Sequence, residues 1–62
     1  MIAEKIKEYR IKAGLTQGEL ADKLGYDRTA IVKWENGSKE PLASTVKAIA
    51  NVLNVTVSQL YE

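Results

Sequence analysis

Residues 16–37 read TQGELADKLGYDRTAIVKWENG, and this stretch decides the fold. Thr16 stands three residues before Glu19, a spacing typical of a capping box, in which a hydroxyl and a carboxylate satisfy free backbone N–H groups at the start of a helix. Glycine readily adopts the left-handed conformation that ends helices. The sequence therefore predicts a helix that opens at Thr16 and stops at Gly25.

A second helix is expected after a very short connection. Asp27 has the acceptor side chain preferred at an N-cap, and its charge suits the positive end of a helix. Gly37 directly follows Asn36 and supplies the next stop signal. A glycine-containing connection this short between two helices is typical of a helix-turn-helix unit. We predict such a unit over about residues 16–36, with its second helix over residues 28–36.

Apolar residues at helical spacing continue the pattern on both sides of this unit. The helix before it is expected to end at Gly14, whereas the sequence leaves open whether Leu42 or Ser44 starts the helix after it. Thr56 and Gln59 form a second capping box, which opens a short last helix. These features predict an all-α fold, a compact bundle of five helices. Its core is expected to contain Ile6, Leu20, Leu24, Ile31, Ile49, Ala50 and Leu53.

The composition excludes several classes of protein. The 62 residues suffice for one small domain, which we take to be residues 1–62. Without cysteine or histidine, the chain lacks disulfides, the usual zinc ligands and the common nucleophile–base pairs, so we predict neither an enzyme, nor a metal site, nor a cofactor. The longest uncharged stretch, residues 48–61, contains five polar side chains and is too short for a membrane helix of ~20 apolar residues. We expect a cytoplasmic protein.

The helix expected over residues 28–36 has two different faces. At about 100° per residue, Ala30, Ile31 and Trp34 share one side and form a core face. Nine residues span ~14 Å, which fits the ~12 Å-wide major groove of DNA. A solvated helix face without a binding function would have a similar composition. The side opposite the core face combines polar and basic residues with one valine: Arg28, Thr29, Val32, Lys33 and Asn36.

Two motifs connect this chain to a known family. The run T-Q-x-x-L-A-x-x-x-G covers residues 16–25, and W-E-N-G covers residues 34–37. With these motifs at this spacing, the sequence resembles the Cro and phage-repressor family of helix-turn-helix domains over essentially its whole length. The resemblance implies five packed helices, the third of which enters the major groove. It implies a sequence-specific DNA-binding domain, usually of a dimeric transcriptional regulator.

The same resemblance bears on four further positions. It implies that Arg10 and Glu35 form an internal ion pair that braces the first helix against the third. Tyr26 departs from the family, which commonly has a small or aliphatic residue there; this tyrosine either packs or reaches a phosphate. Leu42 departs as well, because the family often has Ser or Thr after the proline to cap the fourth helix. We expect Leu42 to belong to an apolar contact surface instead.

We predict that the outward face of the third helix reads base edges. Arginine and lysine suit guanine O6 and N7, and threonine or valine can contact a thymine methyl group. Alternatives remain for two positions: Arg28 can also hold a phosphate or pair with Asp27, and Val32 can lie off to one side. The predicted base-reading residues are Arg28, Thr29, Val32 and Lys33.

Phosphate contacts are expected on either side of that helix. Gln17 follows the N-cap of the second helix, where free N–H groups favour an anion and the resemblance implies a contact to the DNA backbone. Asn36 and Lys39 are the candidates on the other side. An exposed glutamine without a function is the alternative for Gln17. A role in capping the end of the helix is the alternative for Asn36, and it is compatible with phosphate binding.

The expected partner is double-stranded DNA with a near-palindromic operator, bound by a homodimer that pairs through residues 42–62. This region is nearly uncharged and contains apolar residues that are not needed for the predicted core. We therefore expect them to form the contact between two copies. Repression is the expected mode of regulation. The net charge of only +1 leaves a protein-interaction adaptor open as an alternative. Within the DNA-binding class, an antitoxin-type autoregulator is a further alternative. The left-over apolar residues are Leu42, Val52, Val57 and Tyr61.

Overall fold

Five α-helices and no strand make up the chain, and the computed structural model describes all residues from 1 to 62. The predicted all-α, five-helix fold is therefore confirmed. The bundle measures 24 × 23 × 19 Å along its principal axes. None of its helices is long and apolar enough to cross a membrane. The helices are α1 (Ile2–Lys12), α2 (Gln17–Leu24), α3 (Arg28–Asn36), α4 (Ala43–Leu53) and α5 (Val57–Leu60).

Both predicted capping boxes are present. Glu19 N donates to Thr16 Oγ1 at 3.0 Å, and Thr16 N donates to Glu19 Oε1 at 2.8 Å. The box that opens α5 repeats this arrangement, with 3.1 Å from Gln59 N to Thr56 Oγ1 and 2.8 Å from Thr56 N to Gln59 Oε1. Two helices of the bundle thus begin with reciprocal capping hydrogen bonds, which we call a local lock of the helix start.

The other two helices after α1 begin without such a lock. Asp27 occupies the N-cap of α3 as predicted, but its carboxylate accepts no capping hydrogen bond. Leu42 is the N-cap of α4, so the helix starts at Ala43, and an apolar side chain cannot cap it. Gly37 ends α3 in the left-handed conformation, with φ of 81°. The starts of α3 and α4 must be positioned by contacts with other elements.

The core lies where the inner faces of all five helices meet. Ile6 of α1, Leu20 of α2, Ile31 of α3 and Ile49 of α4 are each 0% exposed. Of the seven residues predicted for the core, all are buried except Leu24. It is half-buried because it is the last residue of α2, at the edge of the cluster. The core also includes Trp34, which was predicted on the core face of its helix, and four residues outside the predicted seven: Ile2, Ala21, Val46 and Leu60.

Helix α3 has its main contacts on one side. It packs against α1 and α2, while α2 and α1 also contact α4, and α5 closes the bundle against α1 and α4. The side of α3 that faces away from α1 and α2 is consequently left at the surface of the bundle.

Candidate nucleic-acid interface

The two faces predicted for α3 are separated in the structure. Ile31 and Trp34 are buried and Ala30 is half-buried, so the apolar side faces the core. Arg28, Thr29 and Lys33 are exposed, while Val32 is half-buried at the margin of the outward face. The residues assigned to base reading thus lie together on one helix, with Val32 less accessible than the other three.

Arg28 is oriented by α2 and not by its neighbour in the chain. Its Nη2 donates to Gln17 Oε1 at 3.4 Å. No ion pair forms between Arg28 and Asp27, one of the alternatives that the sequence left open. The contact brings the arginine to the junction between α2 and α3, next to the glutamine expected to hold phosphate.

Gln17 connects this exposed junction to the interior. Its Nε2 donates to Glu35 Oε1 at 3.2 Å, on the same side chain that receives Arg10. Arg10 Nε donates to Glu35 Oε2 at 2.6 Å, and Arg10 Nη2 donates to Glu35 Oε1 at 3.0 Å. The side chains of Arg10 and Glu35 are 10% and 4% exposed. An arginine–carboxylate fork therefore fixes the glutamine that contacts Arg28.

Asn36 and Lys39 lie at the other end of α3. The Asn36 Oδ1 accepts from Ser38 N at 2.8 Å, so this side chain stabilises the turn after the helix, while both residues stay exposed. The carbonyl of Lys33 accepts from Ser38 N at 3.1 Å and from Lys39 N at 3.3 Å, which fixes the backbone of that turn. The capping role considered for Asn36 is present, and its amide nitrogen is not used within the chain.

The positive charges of this face are unpaired. All four ion pairs of the chain use other groups, three of them on α1 and one between Arg10 and Glu35. Arg28, Lys33 and Lys39 are thus exposed cations that form no intramolecular ion pair. A cleft of about 370 Å³ runs between α3 and residues 39–42, with both lysines at its edge. Nowhere do three carboxylates converge to form a metal site.

Tyr26 has a role that the sequence only suggested. Its hydroxyl and Thr45 Oγ1 are 3.0 Å apart and share a hydrogen bond, and its ring meets Trp34 edge to face with centroids 5.0 Å apart. The tyrosine packs within the chain, one of the two alternatives predicted for it, and 42% of the residue stays exposed. Its departure from the family pattern marked the position, but the partner on α4 is 19 residues away and has no signature in the sequence.

Comparison with known proteins agrees with this architecture. The family model described as helix-turn-helix matches residues 6–60. The transcriptional activator BcrR of Enterococcus faecalis is 40% identical over 92% of this chain and 28% of its own length. The uncharacterized HTH-type transcriptional regulator YqaE of Bacillus subtilis is 42% identical over 97% of this chain and 52% of its own length. The chain thus spans about half or less of these curated relatives.

A solved structure extends the similarity to three dimensions. The master regulator for biofilm formation SinR, crystallised in complex with DNA, superposes with a TM-score of 0.92 at 30% identity, and the superposition covers 100% of both chains. The family match, the related regulators and this superposition concern the same five helices whose outward α3 face is described above. The chain belongs to the helix-turn-helix family of Cro and phage-repressor type.

Proposed function

We propose that this chain binds double-stranded DNA in a sequence-dependent manner, with α3 in the major groove, and that it represses transcription. The observation that carries the proposal is the outward face of α3, where Arg28 and Lys33 are exposed and unpaired beside Thr29. At nine residues, α3 is ~14 Å long and matches the ~12 Å width of the groove. The similarity to SinR, whose structure was solved in complex with DNA, supports DNA binding by this chain.

Base reading and phosphate binding are assigned to different residues. Arg28, Thr29 and Lys33 carry the sequence preference, with a smaller contribution from the half-buried Val32. Gln17, Asn36 and Lys39 flank them and hold the sugar-phosphate backbone, so that they set position without selecting sequence. The free amide nitrogen of Asn36 and the exposed ammonium of Lys39 suit this role.

A homodimer on DNA completes the proposal. Leu42 is 71% exposed, Tyr61 57% and Val57 39%, although they are large apolar side chains, whereas Val52 is half-buried. Contiguous exposed apolar patches are typical of interaction surfaces, and we propose that these side chains contribute to one. Two copies joined here would present their α3 helices to half-sites one DNA turn apart, ~34 Å, and require a near-palindromic operator. Occupying such a site blocks access for the transcription machinery, which is the basis for proposing repression.

Selection from a randomised duplex library tests the proposal. The wild-type chain should enrich a near-palindromic site, and affinity for it should fall steeply as salt rises, because bound phosphates release counterions. Lys33→Ala should enrich a site with relaxed preference at one or two base pairs, while the matched control Lys7→Ala, an exposed and unpaired lysine on α1, should enrich the wild-type site. A flat salt dependence without enrichment would favour a protein-interaction adaptor. A reporter carrying the site within a promoter distinguishes repression from activation.

A further inference from the structure

We propose that Tyr26 is a positioning residue that sets the base preference of α3 by fixing the start of this helix to α4. The inference rests on the proposed DNA-binding function. Tyr26 acts here through the position of α3 and not through a contact with DNA: its hydroxyl bonds Thr45 and its ring packs against Trp34.

The need for such a residue follows from the helix starts. Thr16 and Thr56 lock the beginnings of α2 and α5 through capping boxes. Asp27 and Leu42, the corresponding residues of α3 and α4, make no side-chain capping hydrogen bond. Apart from α1, the helices that begin without a side-chain capping hydrogen bond are the two that meet at Tyr26.

Tyr26 contacts every element around this junction. Its backbone N donates to Ala21 O at 3.0 Å, which ties it to the end of α2. Its hydroxyl bonds Thr45, which lies in the first turn of α4 and is only 6% exposed. Its ring packs against Trp34 with an interplanar angle of 74°, on the buried face of α3. One residue thus contacts the end of α2, the buried face of α3 and the first turn of α4.

Tyr26 is close enough in the chain to the predicted base-reading residues to affect their positions. Tyr26 precedes Arg28 by two residues and Thr29 by three, so a change in its position turns the first residues of α3. Hydrogen bonds to base edges depend on orientation and tolerate shifts of only about 0.5 Å. Attraction to phosphates depends mainly on charge and is much less sensitive to orientation. Loss of the Tyr26–Thr45 bond should therefore reduce base discrimination more than general affinity for DNA.

The experiment compares Tyr26→Phe, Thr45→Val and the double variant on a library of single-base changes in the selected operator. Each single variant should reduce discrimination at the base pairs read by Arg28 and Thr29 by about three- to tenfold, the range expected for one neutral hydrogen bond. The double variant should match the singles, because all three lack the same bond. Affinity for random duplex and its salt dependence should stay at wild-type values.

Thr56→Val is the matched control. It removes a threonine hydroxyl that caps α5, away from α3, so it should lower the melting temperature without changing base preference. Amide hydrogen exchange of the free chain gives a readout independent of DNA. Tyr26→Phe should accelerate exchange in the first turns of α3 and α4, and Thr56→Val should not.

Two results would overturn the inference. One is a Tyr26→Phe chain that discriminates bases as the wild type does; the other is additive loss in the double variant, which would mean that the hydroxyls act separately. A wild-type chain that prefers no sequence would instead refute the proposed function, and this inference with it.

Discussion

Arg10 and Glu35 form the most enclosed charged contact of the chain, a two-point fork that joins α1 to α3 across 25 residues of sequence. The third donor of the arginine, Nη1, reaches the carbonyl of Leu15 at 2.8 Å, before α2 begins. Glu35 Oε1, which accepts from Arg10 Nη2, also accepts a hydrogen bond from Gln17 Nε2. This ion pair therefore ties together the three helices that present the candidate interface.

Arg10→Met should destabilise the fold strongly. Removing one partner leaves the carboxylate of Glu35 enclosed without its counter-charge, which typically costs about 3–5 kcal/mol. The loss approaches the entire stability of a domain of this size, about 3–9 kcal/mol. Urea unfolding measures it. The double variant Arg10→Met/Glu35→Leu should recover most of the loss, because no unpaired charge remains. Equal stability of the single and double variants would contradict this explanation.

Leucine-to-alanine substitutions at three positions should give three different losses of stability. Leu20 is 0% exposed, so Leu20→Ala should cost about 2–5 kcal/mol through lost burial and the cavity left behind. Leu24→Ala, at the half-buried end of the same helix, should cost clearly less. Leu42→Ala should cost almost nothing, because that side chain is 71% exposed. Urea unfolding that ranks Leu24 above Leu20 would show that the centre of the core is misplaced.

The helices could be predicted because their signals are local. Thr16 and Glu19 are three residues apart, and one glycine is enough to end a helix. The outward face of α3 could be predicted for the same reason, because helical periodicity places Ile31 and Lys33 on different sides of the helix. The ion pair between Arg10 and Glu35 was expected only through family resemblance.

Contacts between distant elements could not be predicted in this way. The hydrogen bond from Tyr26 to Thr45 depends on how α4 packs, and Thr45 gives no sign of burial in the sequence. At Asp27 the position was predicted correctly and the contact was not. The residue is the N-cap of α3, but its side chain makes no capping hydrogen bond. Periodicity identifies the faces of helices but does not determine which side chains meet across them.

The α2 capping box should make stability depend on pH. The backbone N–H of Thr16, followed by its hydroxyl and by Lys23, holds the pKa of Glu19 below its ordinary value of 4.5. The folded state therefore binds the proton more weakly than the unfolded state. This contribution is fully present above pH 4.5 and is lost as the pH falls through the lowered pKa of the folded state.

Glu19→Gln isolates that contribution, because glutamine can still accept the bond from Thr16, as Gln59 does in the α5 box. Urea unfolding should show wild type more stable than Glu19→Gln at pH 7, with a difference that shrinks below pH 4.5. The reverse change, Gln59→Glu, should introduce a similar dependence at α5. A difference in the free energy of unfolding that grows as the pH falls would contradict a lowered pKa of Glu19 in the folded state.

Leu42→Ala should weaken pairing of two copies on DNA. Its side chain is exposed at the start of α4 and packs against nothing in the core, so the fold should be unaffected. Affinity for the complete operator should fall, while affinity for a single half-site should stay the same. Electrophoretic mobility and sedimentation of the complexes give both quantities and the number of copies bound. Equal losses on half-site and operator would mean that Leu42 contacts DNA and does not serve a dimer.

Lys33 and Lys39 should affect DNA binding in different ways, although both are exposed lysines without an ion-pair partner. Lys33 projects from the middle of α3, where it can reach base edges, whereas Lys39 follows the turn stabilised by Asn36. Lys33→Ala should lose about 1–3 kcal/mol on the selected operator and relax preference at one or two base pairs. Lys39→Ala should weaken binding to all sequences alike and reduce the salt slope by about 1.

Affinities across single-base operator variants at several salt concentrations measure both effects. Uniform weakening by Lys33→Ala, together with altered base preference in Lys39→Ala, would reverse the two assignments.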